Sequence, residues 1–253
     1  IKFKNLGLLI IDEEHKFGVS HKEFLSKFYK NIDILSLSAT PIPRTLQMSL
    51  SGIRDMSTIE TPPNERLPIK TFVSEKKNSI ISEAILREKD RGGQVFFLHN
   101  RVSDIEIIYK NLVKILPDIS ICIAHGQMDE KRLEKIMQDF GDKKFDVLLC
   151  TTIIESGIDF PNVNTLIIDE SDKFGLSQLY QIRGRIGRGN VQGYAYLLVE
   201  KNKSISEISQ KRLDTILSAN ELGSGYQIAL RDLEIRGVGN LLGSEQSGYI
   251  SAV

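Results

Sequence analysis

Three short stretches of this chain combine residue types suited to phosphate and metal chemistry. In "LLIIDEEHKF" (8–17) an apolar run ends in three consecutive acids and a histidine. A carboxylate at the carboxyl end of a strand can hold Mg2+ through its water shell while its neighbour polarises an attacking water, which gives Asp12 and Glu13 those two roles. A solvated strand end has the same composition. In "SATPIPRT" (38–45), Ser38 and Thr40 stand before Pro41 and Pro43, placed either to cap a helix or to couple an acidic site to motion. In "QIRGRIGR" (181–188), Arg183, Arg185 and Arg188 are separated by glycines. Glycine lets the backbone come close to a ligand, and guanidinium forks onto phosphate oxygens; the plainer alternative is a solvated basic turn.

These residues need a scaffold, and the composition supplies one. The chain has 253 residues, 41% hydrophobic and 26% charged, enough for one large or two medium domains with buried cores. Lys plus Arg (33) equals Asp plus Glu (33), so any nucleic-acid surface must be a local patch. Cys122 and Cys150 each sit inside an apolar run and read as small core residues in a reducing compartment, with no disulfide framework or zinc spacing. No apolar stretch approaches the roughly 20 residues of a membrane span, and the expected location is cytoplasmic.

The pattern along the chain is α/β. Leu6 to Ile11 and "ILSLSAT" (34–40) read as strands, the first covered on both faces, with room for a crossover helix at 20–30. Pro62, Pro63 and Pro68 mark a linker near 61–70. Strand-like runs follow at 94–99, 119–125, 145–151, 163–170 and 195–200, with helical segments between them. Ser103 to Glu106 reads as a capping box, and Asp129 as the cap of a helix whose Leu133, Ile136, Met137 and Phe140 share one face. The spacing therefore predicts parallel sheets with helices on both faces and ligands at the carboxyl edge. Residues 204–233 have a helical period broken at "LGSG" (222–225), which predicts a helical hairpin.

In this order and on this frame, the three stretches resemble superfamily 2 helicases and translocases. The resemblance implies RecA-like lobes. Residues 1–70 would form the C-terminal part of a first lobe, 71–200 a second lobe, and 201–253 a helical hairpin with a translocation motif. It also implies ATP and Mg2+ as cofactors, with Asp12 as the metal-holding residue, Glu13 as its water-orienting partner, and Arg185 and Arg188 as arginine fingers. Gln181, Gly184 and Gly187 complete the finger motif. "TTIIESGIDFP" (151–161) looks like the family's fifth motif, which assigns Gly157 and Asp159, together with Gln181, to the nucleotide, and Thr151 and Thr152 to the nucleic-acid backbone. "FLHNRV" (97–102) and "AHGQM" (124–128) are similar to further backbone-contacting loops, adding Asn100, Arg101 and His125. His15, Ser38 and Thr40 would couple hydrolysis to movement.

"DEEHKFGV", "ATPIPRTL", "QLYQIRGRIGR" and "DLEIRGVGNLLGSEQSG" narrow the resemblance to the duplex-DNA translocases that share a hairpin and loop, in which Arg236 and Gln246 match the key polar positions. Residues 48–73 are closer to the branch that couples transcription to repair than to the RecG branch. Lys16, Ser156 and Gly189 depart from the family's usual arginine, threonine and serine. The branch implies double-stranded DNA as substrate. RNA polymerase and UvrA would be partners through regions outside this chain. No membrane partner is implied. Two alternatives stay open: RecG-type fork remodelling, and a non-catalytic DNA-binding piece. No Gly-x-x-x-x-Gly-Lys-[Ser/Thr] occurs in the sequence. The chain reads as part of something longer, unable to hydrolyse ATP alone.

Overall fold

Apolar runs too short for a helix and lacking its period form strands throughout the structure, a computed structural model that describes residues 6–13, 32–40, 55–59, 61, 67–155, 159–201, 204–219 and 224–236. The chain divides into two compact units, Ile1–Thr58 with Gly225–Val253, and Ile59–Ser224.

In the first unit, β1 (Leu8–Asp12) pairs in parallel with β2 (Asp33–Leu37), in the register Leu8 to Asp33 through Asp12 to Leu37. Covering on both faces is not seen: Leu8 and Ile10 are about half exposed, because β2 is the sole strand paired with β1 among the described residues. The expected crossover helix at 20–30 lies outside the described residues. Helix α6 (Gly225–Arg236) belongs to this unit, with Ile228, Ala229 and Asp232 buried.

The second unit is a six-stranded, all-parallel sheet. Its strands are β3 (Lys70–Glu75), β4 (Gln94–Leu98), β5 (Ile121–Ala124), β6 (Val147–Cys150), β7 (Val163–Ile168) and β8 (Tyr194–Val199). They lie in the order β3-β8-β7-β4-β6-β5. Strand β3 starts at Lys70, where the proline-rich segment was expected to continue as linker. Helices α1 (Asn78–Asp90), α2 (Ile105–Ile115), α3 (Glu130–Gly141), α4 (Leu176–Arg183) and α5 (Glu207–Ser218) complete the unit.

The alternation of side chains along β4 divides the core. Val95 and Phe97 join Ile81, Ala84 and Ile85 of α1 and Ile105 and Leu112 of α2 in one cluster. Phe96, on the other face, stacks on Phe140 of α3 at 5.8 Å and meets Phe160 edge-on at 5.8 Å. Helices on both faces explain why β4, β6 and β7 are buried at every position.

The Asp129 carboxylate accepts from Arg132 N at 3.2 Å, which caps α3 as expected. The capping box at Ser103 does not form. Ser103 Oγ donates to Asp104 Oδ1 instead, and a 3-10 turn over Val102–Asp104 leads directly into α2. The two helices expected at 204–233 are α5 and α6, which fall in different compact units.

Candidate functional site

Glu13 follows the last residue of β1 in a left-handed conformation (φ 50), and its N–H donates to Leu37 O at 2.9 Å. This bend turns its carboxylate toward the end of β2, where Ser38 Oγ donates to Glu13 Oε2 at 3.2 Å. The acidic stretch and the serine of "SAT" are therefore joined directly. Asp12 is exposed beside them, and Thr40 is buried. Asp12 offers the hard oxygen that Mg2+ prefers. Among the described residues no group of three His, Cys, Asp or Glu side chains converges on a metal position. Mg2+ ordinarily takes one or two carboxylates and fills its remaining positions with water and phosphate, so a single exposed aspartate suits it. His15 lies outside the described residues.

The carboxyl edge of the six-stranded sheet gathers the backbone-contact candidates. Register pairs Leu98 with Cys150 and Cys150 with Ala124, so the next residues, His99, Thr151 and His125, leave three adjacent strands side by side. Asn100 and Arg101 follow on the β4 side, both exposed; Thr151 is buried and Thr152 opens a 3-10 turn on β6. His125 is partly buried, and its Nδ1 is enclosed without a hydrogen bond.

Behind this row lies a charged network that the motif reading missed. Asp169, fully buried, follows β7 and accepts from His99 Nδ1 at 2.9 Å and Lys76 Nζ at 2.8 Å. Burial pushes its pKa up, but the hydrogen bonds from His99 and Lys76 outweigh this and hold it below the ordinary carboxylate value. Arg101 Nη2 lies 2.8 Å from Asp104 Oδ2 and 3.2 Å from Glu170 Oε2. The Asp104 carboxyl is also held low, first by the Ser103 hydroxyl and then by the Arg101 guanidinium.

The arginine-rich turn lies at the opposite edge. A helix joining parallel strands runs back along the sheet, so α4 ends beside the amino ends of β3, β7 and β8. Gly187 N donates to Val163 O at 3.3 Å, where β7 begins. Gly187 adopts φ +60, so glycine is favoured by conformation; a Cβ there would make only ordinary contacts, 3.5 Å from Gly193 Cα and Ile69 Cγ1. Ligands were expected at the carboxyl edge; the turn carrying Arg185 and Arg188 is at the amino edge. Arg188 Nη1 meets Asp159 Oδ1 at 3.1 Å, uniting two of the nucleotide-site candidates. Arg185 and Gln181 are partly buried, and Gly157 lies outside the described residues.

The third arginine has a different task. Arg183 is buried, with Nη1 donating to Ile216 O at 2.9 Å and Thr71 Oγ1 at 3.3 Å, and Nη2 donating to Ala219 O at 2.7 Å. It satisfies carbonyls at the carboxyl end of α5 and so ties that helix to α4 and β3. Its register with Leu176, Leu179 and Ile182, the buried face of α4, could have revealed this from sequence. Arg236 is the last residue of α6, and Gln246 lies outside the described residues.

Residues 76–190 match the helicase conserved C-terminal domain. The chain resembles RecG bound to a three-way DNA junction, with TM-score 0.71 and 33% identity over 95% of this chain and 31% of that one. It also shares the fold of yeast Dbp5 bound to RNA and ADP BeF3, with TM-score 0.60 and 20% identity over 87% of this chain and 57% of that one. The class these matches define is that of the superfamily 2 helicases, whose RecA-like lobes the six-stranded sheet resembles. The chain's whole length is homologous to transcription-repair-coupling factors, at 54% identity over 253 residues to those of Bacillus subtilis strain 168 and Escherichia coli K12. The chain spans 22% of the length of these curated relatives. Among the described residues no helix is long and apolar enough to cross a membrane.

Proposed function

We propose that this chain forms part of an ATP- and Mg2+-dependent double-stranded DNA translocase of the transcription-repair-coupling kind. The observation that carries this reading is the 54% identity to coupling factors over all 253 residues, against 33% to RecG over 95% of the chain. In this reading Asp12 would hold Mg2+ through water and Glu13 would orient the attacking water with Ser38 fixing its carboxylate; Arg185 and Arg188, which belong to the other unit, would supply positive charge to the transferring phosphoryl group. Bound Mg-ATP supplies the phosphoanhydride whose cleavage drives the cycle. Gly157, Asp159 and Gln181 hold the nucleotide; His15, Ser38, Thr40, Arg236 and Gln246 couple it to movement.

The row formed by Asn100, Arg101, His125, Thr151 and Thr152 grips the DNA backbone, a reading supported by their common sheet edge and by the DNA-bound state of the RecG relative. Displacement of a stalled RNA polymerase and recruitment of UvrA belong to the full-length protein. Without a phosphate-binding loop in its own sequence, the 253-residue chain is inactive as an ATPase.

The test is full-length protein carrying this sequence, assayed for ATP-dependent triplex displacement on linear duplex and for release of stalled polymerase. Both activities are expected. Regression of branched DNA without polymerase release would assign the chain to fork remodelling instead.

A further inference from the structure

The loop that leaves β4 presents Arg101 half exposed, yet its charge is already engaged. Asp104 Oδ2 lies 2.8 Å from Nη2 on one side, and Glu170 Oε2 lies 3.2 Å from it on the other. Glu170 is held there by a left-handed backbone (φ 50) and also pairs with Lys173. An arginine bracketed in this way offers little net charge to a passing anion.

Beneath the bracket lies a buried histidine with one side unused. His99 is 2% exposed and gives Nδ1 to Asp169, whose Oδ2 also takes Lys76. Its Nε2 is enclosed without a hydrogen bond and stands 3.9 Å from Asp104 Oδ2. In the neutral ring that donates through Nδ1, Nε2 presents a lone pair to a carboxylate; in the imidazolium it presents a proton. Asp104 thus stands between the Arg101 guanidinium on the outside and His99 Nε2 on the inside. The charged groups around His99 are Asp169 and Lys76 at the strand ends, and Asp104, Arg101, Glu170 and Lys173 on the loops.

We infer that Asp104 and Glu170 are exchangeable counter-ions of Arg101: a DNA phosphate takes the guanidinium from them, and Asp104 turns inward to His99 Nε2, which binds a proton from solvent. The inference rests on the proposed reading of Arg101 as a backbone contact. It makes Asp104 and Glu170 positioning residues that set the affinity and proton linkage of that contact. Phosphate can make the exchange because it offers guanidinium a bidentate, charge-assisted partner, whereas weaker anions cannot displace two carboxylates held by the fold. The row of polar groups is then selective without being strongly basic.

The experiment measures binding of a fluorescent duplex by full-length protein carrying this sequence, across a salt series and at pH about 6 and about 8, on either side of the ordinary histidine range. Arg101→Ala is expected to weaken binding and to make the salt dependence shallower by about one phosphate contact. Asp104→Asn and Glu170→Gln are expected to tighten binding at low salt by about two- to fivefold, the scale of one removed competing ion pair. A merely structural carboxylate would not give that gain. Wild-type binding should strengthen toward the lower pH, and His99→Gln or Asp104→Asn should each remove the same share of that dependence. If Arg101→Ala weakens binding but both carboxylate variants bind no better than wild type, the exchange is wrong and the backbone contact stands. If Arg101→Ala changes neither affinity nor salt dependence, the contact itself is wrong.

Discussion

Arg188 Nη1 and Asp159 Oδ1 stand 3.1 Å apart, joining the end of the arginine-rich turn to the loop that follows β6. Both side chains are solvent-accessible, and such pairs add little to stability, about 0–1 kcal/mol. If Arg188 instead serves the transferring phosphoryl group, its loss should appear in turnover. In full-length protein, Arg188→Ala is expected to lower DNA-stimulated ATP hydrolysis by about 10³- to 10⁵-fold. Its thermal midpoint should stay near wild type. Arg188→Lys should recover little, because an ammonium cannot fork onto two oxygens. Near-normal hydrolysis in the alanine variant would remove Arg188 from the chemistry.

The bond from Ser38 to Glu13 leads to a smaller effect of a different kind. Glu13 is turned by its left-handed backbone, and the hydroxyl fixes one carboxylate oxygen. Ser38→Ala leaves the carboxylate in place but less well oriented, so kcat should fall by up to about tenfold, the worth of one modest hydrogen bond, with KM for ATP unchanged. Glu13→Gln should abolish turnover while nucleotide still binds. Steady-state kinetics on both variants of the full-length protein check this, and a Ser38→Ala effect confined to KM would sink the orienting role.

The parts of this fold legible in sequence are those governed by unbroken apolar runs. β4, β6 and β7 are buried along their whole length, so their residues carry no competing signal. β3 was missed because it is an edge strand of mixed exposure, Lys-Thr-Phe-Val-Ser-Glu, directly after a proline cluster. The motifs identified residue types but not neighbours. Arg183, Arg185 and Arg188 look alike by residue type; the motif singles out Arg185 and Arg188, and the buried face of α4 gives Arg183 its structural place. His99 and Asp169 each sit one residue beyond an apolar strand, and nothing local pairs them. Their contact depends on β4 and β7 being adjacent, in the register Leu98 to Ile168, which is a property of the whole sheet.

That contact also sets a pH dependence. The folded pKa of Asp169 is lower than its ordinary value, so the stability it contributes is fully present above that ordinary value, about 3.9, and is lost as pH falls through the depressed folded pKa. Asp169→Asn should therefore destabilise at neutral pH, with the gap to wild type closing under acid. The cost should be about 2–3 kcal/mol, below that of a fully buried broken pair, because Lys76 is partly exposed and keeps Glu200 at 3.4 Å. Thermal midpoints of both chains across acidic to neutral pH test this. A gap that widens toward low pH would contradict the assignment.

Arg183 provides the counterpart to Arg188. Its guanidinium reaches Ile216 O, Ala219 O and Thr71 Oγ1 at once, so one planar group closes the end of α5 and holds it to α4 and β3. Arg183→Ala leaves those carbonyls without that donor and should cost about 2–4 kcal/mol, read as a lower denaturation midpoint of the 253-residue chain. Arg183→Lys keeps the charge but cannot span the same acceptors, and should recover less than half. Stability is therefore the quantity that falls at Arg183, whereas turnover falls at Arg188. If Arg183→Ala unfolds at the wild-type denaturant concentration, the clamp contributes nothing, and the buried guanidinium must be explained some other way.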